Sequence, residues 1–169
     1  MDLLPEIMKR RSVRAFTDTP VYTHQIERIV EAGRRAPSAK NRQAWRFIVI
    51  QDQGLKTTLE DACYGQAYVG QAGAIIAICT TNIDYKMPNG QLSYPVDSGI
   101  AGAFMMLQAE HEGLGCCPVT TFREDDVKSL LSVPYKMRVV MLLAVGTPDD
   151  DAELTERLPW DRVVGWEHW

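Results

Sequence analysis

Apolar residues recur at helical spacing near the start of the chain, where Leu3, Leu4, Ile7 and Met8 fall on one stripe. This predicts a helix over residues 2–11, capped by Asp2 and with Pro5 tolerated in its first turn. Residues 12–22 break the period. A second helix is predicted from a Thr23 cap through Ile26, Ile29, Val30 and Gly33, ending near Ala36 because Pro37 disfavours helix just before it. Residues 45–51 alternate as a strand does, and residues 55–62 read as a helix. The run GAIIAICT at 73–80 is apolar on both faces, which predicts a buried central strand. Residues 82–95 mix turn formers with two tyrosines and predict a loop.

Asp97 is placed to cap a long helix, 97–112, that stops at Gly113 and Gly115. Residues 116–120 predict a short strand, and Thr121 to Glu124 has the spacing of a capping box opening a helix to Leu131. VVMLLAVG at 139–146 predicts a second buried strand, followed by a tail, 147–169, without clear period. No repeat or linker interrupts this order, so residues 1–169 are expected to form a single domain. Helices and strands mix without strict alternation, which favours the α+β class over a doubly wound sheet.

Composition narrows the function. At 169 residues, 46% hydrophobic and 24% charged, the chain suits one soluble globular unit. A net charge of −4 argues against nucleic acid as a partner. No apolar run is long enough to span a membrane, and acids precede bases at the N-terminus, the wrong order for a secretory signal. A cytoplasmic location with free thiols is expected for Cys63, Cys79, Cys116 and Cys117, which form no C-x-x-C pair. Cys116 and Cys117 read as buried thiols on a strand in preference to a strained vicinal disulfide.

Familiar catalytic signatures are missing: no P-loop, no G-x-G-x-x-G after a strand, no nucleophile elbow, no H-E-x-x-H and no metal-ligand spacing. His24, His111 and His168 stand far apart and read as solvent-facing or structural. An enzyme built this way leaves its chemistry to a cofactor. Two polar elements remain. Lys9-Arg10-Arg11-Ser12-Val13-Arg14 either complements the first helix's dipole or forms an anion site, since guanidinium forks and a hydroxyl suit phosphate. Residues 36–45 are either a plain connection that satisfies its own backbone or a binding loop held between rigid elements.

These two elements carry a resemblance. RRSVRAF, then EAGRRAPSAKNRQAWRFIVI, DSGIAGAFMMLQAEHEGLG, CCPVTTF, VVMLLAVGTP and ERLPWDRVVGWEHW follow the order of motifs in the nitroreductase family of FMN enzymes, over essentially the whole chain. The resemblance implies an α+β sandwich with a mostly antiparallel sheet flanked by helices. It implies a homodimer with FMN between the subunits and the tail 147–169 packed on the partner. It implies that Arg10, Ser12 and Arg14, with Arg11 adjacent, hold the phosphate, ribityl chain and pyrimidine edge. Pro37, Ser38, Ala39 and Asn41 would then reach the flavin from the other subunit. Pro118, Thr120 and Thr121 would line the face running to N5, and Arg157 would return to the phosphate.

The implied activity is ping-pong transfer of hydride from NADH or NADPH, through flavin N5, to a nitroaromatic, quinone or similar small planar acceptor. No side chain acts as acid or base, and no metal is required. Reductive dehalogenation or enone reduction at the same site, or a flavin-binding redox or storage role, are the alternatives. Many relatives carry Glu-Gly where this chain has Thr120-Thr121, and a second basic residue where it has Leu158. The 82–95 segment is short for a substrate lid, with Tyr85, Met87 and Tyr94 as its candidate residues. In the 97–112 helix, Ser98, Gly99, Ala101, Gly102 and Ala103 are slim and Phe104, Met105, Met106 and Leu107 bulky. That fits a dimer interface or a helix of the monomer core.

Overall fold

Among the described residues, four strands form one antiparallel sheet in the order β1-β2-β4-β3. They are β1 Trp45–Ile50, β2 Ala74–Thr80, β3 Gly115–Val119 and β4 Arg138–Gly146. The computed structural model describes residues 2–149 and 154–169. Helices cover both faces: α1 Pro5–Lys9, α2 Thr23–Arg34, α3 Gln53–Ala62, α4 Ala67–Gln71, α5 Ser93–His111 and α6 Glu124–Leu131. The α+β sandwich expected from the sequence is the one observed.

Strand β2 explains the layering. Its side chains alternate, and every residue is buried. Ile75, Ala77 and Cys79 join Leu59, Val69 and Val127 under α3, α4 and α6. Ala74, Ile76 and Ile78 join Ile26, Ile29, Met105 and Ala109 under α2 and α5. Each large aliphatic side chain buried this way contributes about 1.5–3 kcal/mol, so both faces hold the sheet firmly.

Small residues let α5 sit close. A Cβ at Gly102 would lie 3.1 Å from Met141 Sδ, and one at Gly33 of α2 would lie 2.2 Å from Met105 Cε. Ser98, Ala101, Gly102 and Met105 are buried within this same chain. The slim face of α5 therefore packs on its own sheet, while Val96 and Phe104 point outward, 43% and 40% exposed.

Four expected caps are replaced. Helix α1 begins at Pro5 with Leu4 as its N-cap, because Pro5 forces Leu4 into extended backbone (φ −55°, ψ 133°), so Asp2 does not cap it. It ends at Lys9, where Arg10 turns extended and the chain joins the sheet edge. Tyr22, not Thr23, caps α2, its N–H donating to Gln25 Oε1 at 3.1 Å. Helix α5 starts at Ser93, since Pro95 is accepted in its first turn, and Asp97 lies inside it. Helix α6 starts at Glu124 after Arg123, not after Thr121. The Glu124 carboxylate turns to Val139 N–H (2.9 Å) and Arg138 (2.8 Å), so the capping box does not close.

The short helix α4 was not expected, and the loop before α5 ends at Leu92 rather than residue 95. Among the described residues no helix is long and apolar enough to cross a membrane. The expected tail, 147–169, includes residues 150–153, which lie outside the described residues. From Leu154 onward it runs over the surface with one 3-10 turn, Trp160–Arg162.

Candidate functional site

The basic segment is built into the outer edge of β3. Ser12 forms a parallel bridge with Cys116, and Val13 N–H donates to the Cys116 carbonyl at 3.0 Å. Phe16 bridges Pro148, Thr17 N–H donates to Thr147 and Asp149 N–H donates to Ala15. Val13 and Phe16 are buried beneath, so Arg10, Arg11, Ser12 and Arg14 stand on a fixed ledge. Because α1 is only five residues long and ends before Arg10, its dipole does not account for this cluster. Arg14 is exposed, whereas Arg10, Arg11 and Ser12 are half-buried.

Pro118 lies in β3 beside this ledge, one residue before its end at Val119, and Thr120 and Thr121 follow the strand, exposed. Two residues that local pattern did not single out tie the pieces together. The Tyr68 hydroxyl on α4 donates to Gln66 Oε1 at 2.5 Å and lies against both the Cys117 thiol and the Arg14 guanidinium. Gln66 Nε2 donates to the Thr121 carbonyl at 3.1 Å and to the Cys63 carbonyl at 2.9 Å. Burial, aided by Cys117, pushes the Tyr68 phenol up to about 12, against the opposing pull of Arg14. Tyr68 thus stays a neutral donor at any working pH. The glutamine and tyrosine just after Gly65 were the available signal; their partners across the site, Thr121, Cys117 and Arg14, are far away in sequence.

The second element lies elsewhere. Ser38–Arg42 curls into a 3-10 turn at the entry to β1, on the opposite edge of the sheet. Ser12 and β1 are separated by four interstrand spacings, roughly 19 Å at about 4.8 Å each. One chain therefore does not bring Pro37, Ser38, Ala39 and Asn41 together with Arg10–Arg14. The turn is closed by Gln43 N–H donating to Ser38 Oγ at 3.0 Å and by Gln43 Nε2 donating to Asn41 Oδ1 at 3.1 Å. Its Ala39 N–H donates to the Asp97 carboxylate at 2.9 Å. Tyr85 packs under the turn, with the Arg42 guanidinium 4.1 Å from its ring centre. Met87 closes a tight turn through Gln91 and Gly90, but Tyr94 belongs to the first turn of α5 and is no part of that loop.

Arg157 stands on the exposed tail and donates to Thr155 Oγ1 at 2.8 Å. His111 pairs with Glu6 at 2.8 Å, and His24 stacks on Tyr22, so both have structural partners. All four cysteines are free and buried. Burial pushes the Cys63 and Cys79 thiols to about 11 and Cys116 to about 12, with Cys117 also raised, which leaves protonated, unreactive sulfurs.

A sequence description of the nitroreductase family matches residues 7–75 and 62–147, spanning the basic ledge, the 38–43 turn and the sheet. The chain belongs to the nitroreductase family. A Bacillus subtilis relative named FMN reductase [NAD(P)H] is 31% identical over 96% of this chain and 72% of its own length. A Thermus thermophilus relative named NADH dehydrogenase is 28% identical over 98% of this chain and 96% of its own. Among solved structures, the NADPH:FMN oxidoreductase from Vibrio harveyi complexed with NAD+ superposes with a TM-score of 0.87 at 29% identity. That likeness covers 97% of this chain and 76% of the other. The nitroreductase likeness thus spans both edges of the sheet.

Proposed function

We propose that this member of the nitroreductase family is an FMN-dependent oxidoreductase that uses NADH or NADPH and works as a homodimer. Each flavin lies between the ledge of one protomer and the 38–43 turn of the other. The names of the relatives support the redox class, and the donor set of the ledge supports FMN. Guanidinium groups at Arg10 and Arg14 and the Ser12 hydroxyl offer forked and single donors of the kind that bind a phosphate and a polar chain. The chemistry FMN supplies when bound is acceptance of hydride from the nicotinamide and its release to a small planar acceptor, such as a nitroaromatic or quinone.

The protein's own groups have defined tasks. Arg10, with Arg11 beside it and Arg157 from the tail, neutralises the phosphate. Arg14, backed by Tyr68, places a positive charge at the pyrimidine edge, where it favours the reduced cofactor electrostatically. Pro118, Thr120 and Thr121 wall the opposite side. Ser38, Ala39 and Asn41 of the second protomer close the site from above and exclude water.

The observation that carries the shared site is the separation of its two halves on opposite sheet edges, which only a second copy can bring together. Apolar surface supports the same reading. Leu3 and Leu4 before α1, Ile7 and Met8 on it, Val96 and Phe104 of α5, and Trp160, Trp166 and Trp169 of the tail are all exposed. Leu4 and Phe104 line one open groove with Ala32 and Leu107, and a contiguous apolar patch of this kind marks an interaction surface. The tail packs on the partner and covers part of it. Sedimentation of the flavin-loaded protein tests this: a dimer is expected, and a stable flavin-loaded monomer would overturn the shared site. Arg10→Ala should weaken FMN binding roughly ten- to hundredfold through loss of a charged hydrogen bond. Unchanged affinity would place the phosphate elsewhere.

A further inference from the structure

We propose that Asp97 is a positioning residue for the cofactor, fixing from within α5 the turn that presents Ser38, Ala39 and Asn41. This inference rests on the shared-flavin reading above, and three observations carry it.

Asp97 is a carboxylate only 6% exposed, on a helix that needs no cap there because it starts at Ser93. Burying a carboxylate is costly unless it is given hydrogen bonds, so its bond to Ala39 N–H, 58 residues away at 2.9 Å, is part of what makes the placement tolerable. The turn it holds is strained. Lys40, Asn41 and Gln43 all carry left-handed backbone, with φ of 54°, 52° and 49°, although none is glycine. Such residues persist only where their surroundings over-determine them, and they cluster at ligand clamps.

The remaining bonds of the turn are mostly internal. Gln43 closes on Ser38 and Asn41, and Asn41 N–H donates to the Ser38 carbonyl at 2.8 Å. They set the shape of the turn but do not aim it. The Asp97 bond anchors its first N–H to the long helix at the centre of the fold, so the direction in which Ser38 and Asn41 point follows α5. Lys40 and Arg42, on the same turn, lie over the Tyr85 ring instead, 5.4 and 4.1 Å from its centre.

The test uses two variants that break the same bond from opposite ends. Asp97→Ala removes the acceptor. Ala39→Pro removes the donor, at a position where proline fits: it opens a helical turn, and Ser38 before it is already extended at φ −142° and ψ 157°. Asp97→Asn keeps an acceptor and is the conservative control. One readout is tryptic cleavage after Lys40 and Arg42 in cofactor-free protein, followed by mass spectrometry. The other is the Kd for FMN from quenching of flavin fluorescence. Asp97→Ala and Ala39→Pro are each expected to raise cleavage and weaken FMN binding about tenfold, the size of one charged hydrogen bond. The double variant should be no worse than either single, and Asp97→Asn should stay close to the parent.

If Asp97→Ala, shown folded by circular dichroism, changes neither readout, the proposal is overturned. Should it fail to fold, Asp97→Ser, whose shorter side chain no longer reaches the Ala39 N–H, decides by the same two readouts. Faster cleavage with unchanged FMN affinity also overturns it, because Asp97 would then hold a turn that does not serve the cofactor. A parent protein that binds no FMN at all would instead remove the flavin reading, while the cleavage arm still reports on the anchor.

Discussion

Val13 donates its backbone N–H to the Cys116 carbonyl at 3.0 Å, and this contact fixes the arginine ledge to the sheet. Gly115, one residue earlier on β3, makes the approach possible. A Cβ there would lie 2.6 Å from Val13 Cγ2 and 2.9 Å from Pro148 Cγ. Gly115→Ala should therefore push residues 12–14 off the edge. Overpacking of this kind costs about 1–3 kcal/mol of stability. We expect a lower denaturation midpoint together with weaker FMN retention. Lost stability with FMN affinity intact would separate the ledge from the cofactor.

Arg28 on α2 grips Glu112, at the end of α5, with bonds of 2.6 and 2.5 Å, and Gln108 adds a third at 2.8 Å. Arg28 first, then Gln108, holds the Glu112 carboxyl at about 2, below its ordinary 4.5. A carboxyl depressed in the folded state stabilises fully above its unfolded pKa and loses that contribution as pH falls through the folded one. Glu112→Gln should thus be less stable than the parent near neutral pH, by up to about 1 kcal/mol, since the Arg28 side chain is half-exposed. The gap should shrink below pH 4.5 and vanish near pH 2. Urea denaturation at several pH values measures it, and a gap that widens on acidification would refute the assignment.

The four cysteines are buried with raised thiol pKa values, so a thiol reagent at mildly alkaline pH should label native protein very slowly. Denaturant should release all four for fast reaction. Rapid native labelling of Cys116 or Cys117 would show an opening of the β3 edge that the packing does not allow.

Much of the framework was legible because it follows period and burial. β2 reads as central from its unbroken apolar run, and α2 from the spacing of Ile26, Ile29 and Gly33. Helix starts were read less well, because Pro5 sets the start of α1, Tyr22 and Gln25 close that of α2, and two of the expected capping groups are engaged elsewhere. Asp2, Thr23, Asp97 and Thr121 all look like caps, and for the last two the structure shows where the polar groups go. Asp97 turns to Ala39, and the Glu124 that Thr121 needs turns to Val139. The arginine ledge was legible from charge, and the 38–43 turn from its polar composition. Gln66 and Tyr68 were not, because what marks them is contact with Thr121, Cys117 and Arg14, which no local pattern encodes. The separation of the two site halves follows from strand order and could not be read before the sheet was known.

Every role assigned above depends on FMN being bound by this chain and taking hydride from a nicotinamide. Anaerobic titration of the FMN-loaded protein with NADH or NADPH, followed in the visible flavin band, tests it most directly. The protein should be yellow and should be bleached by about one equivalent of reduced nicotinamide per flavin, as a two-electron hydride carrier requires. A flavin spectrum that neither nicotinamide changes, or protein that takes up no FMN, would contradict it.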